Sequence, residues 1–437
     1  MPRTLPLLYR ALAYELRGGF LIRPFVIALT LGVFGAVLSS IEEQAPALGD
    51  WVPVVLFPSR HDPQSAQLIL SAIATSIMTV VSIVFAMLLM TLTLASTQFS
   101  PRILVSFVRD RATQWTLGVL LGTFSYCIAV LPAVRSLPFV FVPVVSVTLA
   151  MALALLAVAW LIFFIHHISQ AISVNHIVDR IARETEQVIE DLMPHESSHY
   201  EPLPALGSAE SGEPIVSLRS GYLRYIDVSG LLALAKDARI TIRVCRGVGQ
   251  FVPAGVPLAR ISPASRIHPL PVVELRAAFD LGPTRTLQQD VEFGVIQIVD
   301  IALRAISPAV NDPSTAISCI DQLTRILILW CARSPPPSLH CDPPHVARLK
   351  IPWIDLEGLF NTAFEQIRHY AAADLAVNLR LLRAMGDIAV TTTRRDVHSS
   401  LRERAHTLVE RAAENMLESD AMRLRDRLSK LQAMLTS

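Results

Sequence analysis

Charge vanishes from the chain in four long stretches near its amino end. Residues 24–41, 63–101, 113–134 and 136–165 contain no Asp, Glu, Lys or Arg. A membrane-spanning helix needs roughly 20 mostly apolar residues, so the pattern predicts four transmembrane helices in a first domain over 1–168. After Ile165 the charge returns, and no later run is expected to span. The second run exceeds what a bilayer requires, so its helix is expected to tilt or project. Its hydroxyls fall at helical period: Ser71, Thr75, Thr79 and Ser82, continued by Ala86, Thr93 and Thr97. Such a small, weakly polar face serves close packing between helices; lining a pore or a substrate path is the functional alternative.

Beyond the last run the apolar positions change period. From 169 to 192, Ile172, Val174, Ile177, Val178, Ile181, Val188, Ile189 and Leu192 recur at threes and fours. This predicts a stalk helix continuing the fourth span, its stripe buried on the C-terminal helices or on a neighbouring subunit. Residues 193–213, rich in Pro, Ser, Gly and Glu, read as a linker. Short alternating runs then predict a small β-rich, barrel- or sandwich-like domain over 214–285, with one helix capped by Ser229 and a last strand over 272–279. Residues 286–437 read as a C-terminal helical bundle, interrupted by a proline-rich loop at 332–352 and closed by long helices over 355–385 and 393–437.

The fold class expected is therefore an α-helical membrane protein with an α+β cytosolic region. Arg3, Arg10, Arg17 and Arg23 precede the first span, and Arg102, Arg109 and Arg111 separate the second from the third. The positive-inside rule then places both termini in the cytoplasm of a bacterium, the spans lying in its inner membrane. Residues 1–40 also have the look of a signal peptide, but the apolar run is long for one and an uncleaved anchor is expected.

Composition agrees with lipid as solvent: 52% of the 437 residues are hydrophobic and 17% charged, against about 25% charged in an ordinary soluble domain. A net charge of +1 tells against a nucleic-acid partner. The five cysteines have no disulfide or CxxC spacing. The spans hold no Asp, Glu, Lys or Arg, which lowers the weight of a proton-coupled pump.

Candidate chemistry is sparse. Asp300 and Arg304 stand four apart on an apolar helix that should be deeply buried, either paired with each other or facing a ligand. The stretch "SPAVNDPST" (307–315) predicts a helix–corner–helix joint. Pro308 ends one helix, Asn311 suits a left-handed turn, Asp312 is the N-cap, and Pro313 takes the first position of a helix running to Trp330. Asn311, Asp312, Ser314 and Thr315 crowd that helix start and form a second ligand-site candidate. His166 and His167, adjacent and so about 100° apart on a helix, suit an interface better than a metal. His340, Cys341 and His345 fit no zinc spacing. The line "GQFVPAGVPLARI" is similar to half of a biotinyl- or lipoyl-carrier domain, yet the nearby lysine, Lys236, falls inside a predicted helix, so no carried cofactor is expected.

Taken together, "LASTQFSPRILVSFVRDR", "LIFFIHHIS", "GYLRYID" and "GPTRTLQQDVEFGVIQIVDIALRAISPAVNDPSTA" resemble a bacterial predicted-membrane-protein family, domain of unknown function 2254. Ser314 stands where that family leads one to expect an aromatic. The resemblance implies a multi-pass membrane protein and brings no activity with it. No HExxH, Walker loop, GxGxxG or Ser-His-Asp spacing is present, so no enzyme is expected and no cofactor is assigned. Two readings remain: an oligomeric channel or transport component passing a small ion or solute, and a membrane-anchored sensor or scaffold with a cytosolic ligand or partner. The bilayer and further copies of the chain are the expected partners.

Overall fold

The computed structural model describes residues 22–53, 62–98, 111–136, 140–171, 173–193, 212–263, 272–343 and 346–436. Residues 1–21 of the signal-like stretch 1–40 and nearly all of the 193–213 linker lie outside these. The chain divides into two compact units, Met1–Ser173 and Val174–Ser437.

Among the described residues the first unit is built on four long helices: α1 (Ile22–Gln44), α2 (Pro63–Gln98), α3 (Arg111–Val130) and α4 (Val144–Ala171). All are long and apolar enough to cross a membrane. Their outer faces carry large apolar side chains, among them Phe25, Leu29 and Val33 on α1 and Leu155, Ile162 and Phe163 on α4. Such faces suit hydrocarbon as the surrounding medium. Inside, Leu70, Ala74, Tyr126, Val130, Val147 and Ala150 form one cluster, and Ile77, Val84, Leu117, Leu120 and Phe164 another. Gly118 and Gly122 let α1 lie close on α3, since a Cβ at either would come within 2.5 Å of Ile27 or Leu31. Small residues four apart are the usual means of close helix approach in lipid. At one end Glu42 is buried and accepts from Val145 N at 2.7 Å, Ser146 N at 3.1 Å and Ser146 Oγ at 2.9 Å. A carboxylate of α1 thus caps the amino end of α4, satisfying amides that the helix itself cannot.

The second unit opens with α5 (Val174–Leu192). Sequence period suggested one rod from the fourth span through this helix; instead the helix breaks before Val174, where the two units meet in the chain. The α5 stripe is buried on helices from later in the same chain, α8 (Val291–Ala305) and α9 (Pro313–Ala332). Contrary to expectation, α9 is itself long and apolar enough to span, a fifth such helix among the described residues. It packs between α5, α8 and α12 (Leu375–Val390), and its polar positions reach out from that packing. Arg325 pairs with Asp179 at 3.0 Å and with Glu186, and Asp321 with Arg380.

Strands β1 (Glu213–Val216), β5 (Pro257–Ser262), β3 (Thr241–Val244), β8 (Val346–Lys350) and β7 (Leu339–Asp342) lie in that order in one sheet. Strands β4 (Phe251–Val252), β2 (Gly221–Ile226) and β6 (Phe279–Gly282) form another. The two share a core of Ile242, Val244, Ile261 and Leu349 with Leu223, Ile226, Phe279 and Leu281.

Four local expectations are corrected here. The helix α6 (Val228–Asp237) is capped by Asp227, which accepts from Gly230 N at 3.1 Å, while the Ser229 hydroxyl donates to that same carboxylate. Residues 272–277 wind into α7 (Val272–Ala277) because pairing with β2 begins only at Phe279. The proline-rich loop contains β7 and β8, recruited into the larger sheet by β3 from about a hundred residues earlier. The two long final helices are broken. A π-turn at Asn361–Glu365 joins α10 (Leu356–Phe360) to α11 (Gln366–Tyr370), and Asp374 caps a fresh start at α12. A turn then separates α13 (Arg395–Ala413) from α14 (Glu418–Thr436). The amphipathic period continues across each break, which is why it does not betray them.

Candidate functional site

The helix corner is built as its residues require. Asn311 takes φ 49°, Asp312 N donates to Ala305 O at 2.8 Å, and the Asp312 carboxylate accepts from Thr315 N at 3.2 Å and Thr315 Oγ1 at 2.6 Å. Those bonds from Thr315 hold the Asp312 carboxyl below its ordinary range. The carboxylate is therefore spent on its own helix start. Asn311 and Ser314 stand exposed beside it. Asp300 is half-buried and Arg304 exposed, so the expected deep burial of that pair is corrected: α8 turns its C-terminal charges toward solvent.

The hydroxyl row of α2 does share a face, and that face points away from the core of its own unit. Ser71, Thr75, Thr79, Ser82 and Thr93 are exposed, whereas Leu70, Ala74, Ile77, Val81 and Val84 are buried. Ser71, Thr79, Ser82 and Thr93 donate to carbonyls one turn earlier at 2.7–3.1 Å. Ser71 and Thr75 border a recess of about 300 Å³ with Met78, Phe124 and Ile128. The Thr97 side chain lies outside the described residues. At the end of α4, His167 stacks on Phe163 with ring centroids 6.0 Å apart. His340 and Cys341 lie on β7, burial pushing the His340 pKa down, and His345 lies outside the described residues. Lys236 pairs with Asp342 at 3.2 Å.

The stretch from Gly282 to Gly294 closes into a polar knot. Arg285 donates to both Asp290 oxygens at 2.8 Å and to Glu292 at 2.9 Å, and its guanidinium lies 5.6 Å from the Phe293 ring. Burial works against that cation, but the two carboxylates more than offset it and raise its pKa. Asp290 also caps α8, accepting from Phe293 N at 3.0 Å. Glu292 accepts from Thr362 of the π-turn at 2.9 Å, and buried Gln289 accepts from Ile226 N at 2.9 Å. Gly249, at φ 88°, passes so close that a Cβ there would meet Arg285 and Asp290 at 2.5 Å. One guanidinium thus bridges two carboxylates, and the knot fastens the smaller sheet to the helices.

On the larger sheet cations stand side by side. Arg243 of β3 stands directly across from Arg260 of β5 and, on its other side, from Lys350 of β8. All three line a recess of about 400 Å³, joined by Arg246 and by Val244, Cys245, Val256, Pro257 and Pro352. Among the described residues no Asp or Glu lines it. Arg260 is oriented by a bond from Nη1 to Gly212 O at 3.1 Å. Burial pushes the Cys245 thiol up in spite of Arg260, Arg246 and Arg243, so the recess contains a neutral thiol rather than a thiolate nucleophile.

None of these four cations stands out in the sequence. The alternation of "RITIRVC" (239–245) marks its buried face, but its outward arginine gains meaning only from the register with β5 and β8. Among the described residues, no group of three or more His, Cys, Asp or Glu is arranged to hold a metal ion.

A set of apolar helices with bare hydrophobic outer faces, joined in one chain to a sheet-and-helix unit, defines a membrane protein of mixed α and β architecture. The chain matches the family described as predicted membrane protein, domain of unknown function 2254, over residues 17–387, and it belongs to that family. Among curated proteins it is 32% identical over 398 residues to the uncharacterized proteins Mb1321c of Mycobacterium bovis and Rv1290c of Mycobacterium tuberculosis, covering 88% of this chain and 75% of each of those. No solved structure matches it significantly.

Proposed function

We propose that this is a multi-pass protein of the bacterial inner membrane that acts as a membrane-anchored sensor. Helices α1–α4 cross the bilayer, both termini lie in the cytosol, and the second unit binds a small anionic ligand there. The observation that carries the reading is the row Arg260–Arg243–Lys350 with Arg246 beside it. A bound anion accepts charge-assisted hydrogen bonds from such groups, which are about twice as strong as neutral ones. The fifth apolar helix, α9, is assigned to the cytosolic unit because its charged positions pair with α5 and α12. Binding, not catalysis, is the role assigned. Isothermal titration of the full chain in detergent with sulfate, phosphate and pyrophosphate tests it: binding should weaken at least tenfold in Arg243→Gln, and no heat from any anion removes the reading.

One observation favours a second reading, an oligomeric channel. The α2 hydroxyl row faces outward from its own helices, where another copy could turn it onto a shared path. Liposomes containing the protein that release no ion or small solute would remove that reading.

A further inference from the structure

We infer that α2 and α3 form a groove that holds one acyl chain of a membrane phospholipid, with the headgroup at the groove's polar end. The inference stands apart from the anion site. Its first support is continuity. A recess of about 300 Å³ is bordered by Ser71, Thr75 and Met78 of α2 and by Phe124 and Ile128 of α3. A second recess, of about 610 Å³, is bordered by Gln64, Gln67 and Leu68. Ser71 and Leu131 line both, so the two are lobes of one groove.

The second support is the match to bilayer depth. The groove follows α2 from Gln64 to Met78, roughly 21 Å at the helical rise. Half of a bilayer, headgroups included, is roughly 20–23 Å thick. Polarity changes along that length. The Gln64 and Gln67 side chains are exposed in the first turns of the span, and Gln67 Nε2 donates to Val134 O at 3.3 Å. Ser71 Oγ donates to Gln67 O at 2.7 Å, so this hydroxyl is satisfied within its own helix. The far end is bounded by Met78, Phe124 and Ile128. Amide side chains first and hydrocarbon after is the order of a phospholipid from its glycerol to its chain end.

The third support is the shape of the opening. Leu68, Met78 and Ile128, all lining the groove, are large and exposed. Close packing of helices in lipid needs small residues along the contact, so these side chains hold a second helix off and leave a slot for a flexible chain. Both α2 and α3 have the length and apolarity of spans, so hydrocarbon is the medium that reaches the slot. An acyl chain seated there gains dispersion contacts that an empty slot forfeits. A lipid in this position takes Ser71 and Thr75 out of any pore lining.

The experiment moves the full chain from nanodiscs of equal parts phosphatidylethanolamine and phosphatidylglycerol into detergent, and reads retained lipid by native mass spectrometry. The wild-type chain should carry one phospholipid. Thr75→Trp fills the narrower lobe from an exposed position and should lower the ratio of lipid-bound to lipid-free chain about tenfold, equivalent to about 1.4 kcal/mol. Ser71→Trp, at the junction of the lobes, should do the same. Ser82→Trp, exposed on the same hydroxyl row but outside the groove, should leave the ratio unchanged. Equal retention in all of these proteins, or none in the wild type, overturns the inference. A mass of two chains that Thr75→Trp abolishes assigns the face to a second copy and overturns it equally.

Discussion

Gly294 lies within helix α8, where intrinsic propensity makes glycine a liability of about 1 kcal/mol relative to alanine. On propensity alone Gly294→Ala should stabilise the protein. The packing reverses the sign. A Cβ at 294 would sit 1.9 Å from Thr185 Oγ1 and 2.9 Å from both Thr185 Cβ and Cγ2 on α5. Turning the threonine side chain clears Oγ1, at the cost of its 2.7 Å bond to Ile181 O, but Cβ belongs to the helix frame and cannot turn away. The two helices must therefore move apart. Overpacking of this kind costs typically 1–3 kcal/mol, so after the propensity gain the net loss should be about 1–2 kcal/mol.

An internal control exists in α12, where a Cβ at Gly386 would meet only Leu431 Cδ1, at an ordinary 3.5 Å. There Gly386→Ala should gain up to about 1 kcal/mol. Thermal unfolding of the full chain in detergent, followed by fluorescence of buried Trp330 on α9, reads both. The midpoint should fall by a few degrees for Gly294→Ala and rise for Gly386→Ala, roughly 2–4 °C for each kcal/mol. Thr185→Gly removes Cβ together with Oγ1 and Cγ2, so in that background Gly294→Ala should cost little and the double variant should recover most of the overpacking loss. A rise in midpoint for Gly294→Ala, or no recovery in the double variant, would refute the close approach of α5 and α8.

Other perturbations read other parts of the fold. Asp312→Ala removes an N-cap from α9 and should cost about 1 kcal/mol, seen as a lower midpoint; Asp312→Asn should restore most of it, and a neutral alanine variant would deny the cap. Lys350→Thr removes one cation of the recess and should weaken anion binding in the titration; unchanged affinity would deny the lysine a part in the site. Asp312, Glu357 and Asp396 are all held below their ordinary values of 3.8, 4.5 and 3.8, by Thr315, by Ser400 with Arg404, and by Arg394. A lowered folded pKa contributes stability that is complete above the unfolded value and is lost as pH falls through the folded one. Stability should therefore be level in these groups above about pH 5 and decline below about pH 4, and Asp312→Asn should flatten part of that decline in an acid titration of the midpoint.

What could be read from the chain alone was whatever a few neighbouring residues decide. The four apolar runs needed only length and the absence of charge. The corner at 307–315 formed as read, because an N-cap, a left-handed residue and a proline at the first helical position act over one turn. Breaks between amphipathic helices were missed, since the apolar period at 355–385 and 393–437 runs through them and the α5 break falls inside a continuous stripe.

Other features belong to the tertiary structure, because their partners lie far along the chain. Glu42 caps a helix that starts a hundred residues later, and β8 emerges from a proline-rich stretch to pair with β3. The value of Gly294 depends on one threonine across a helix crossing. The cation row is the clearest case. Each arginine and the lysine look like ordinary outward strand residues, and only the register of three strands sets them side by side. Local preference acts over a turn of helix or a pair of strand residues, whereas a binding surface needs strand pairing that only the folded chain selects.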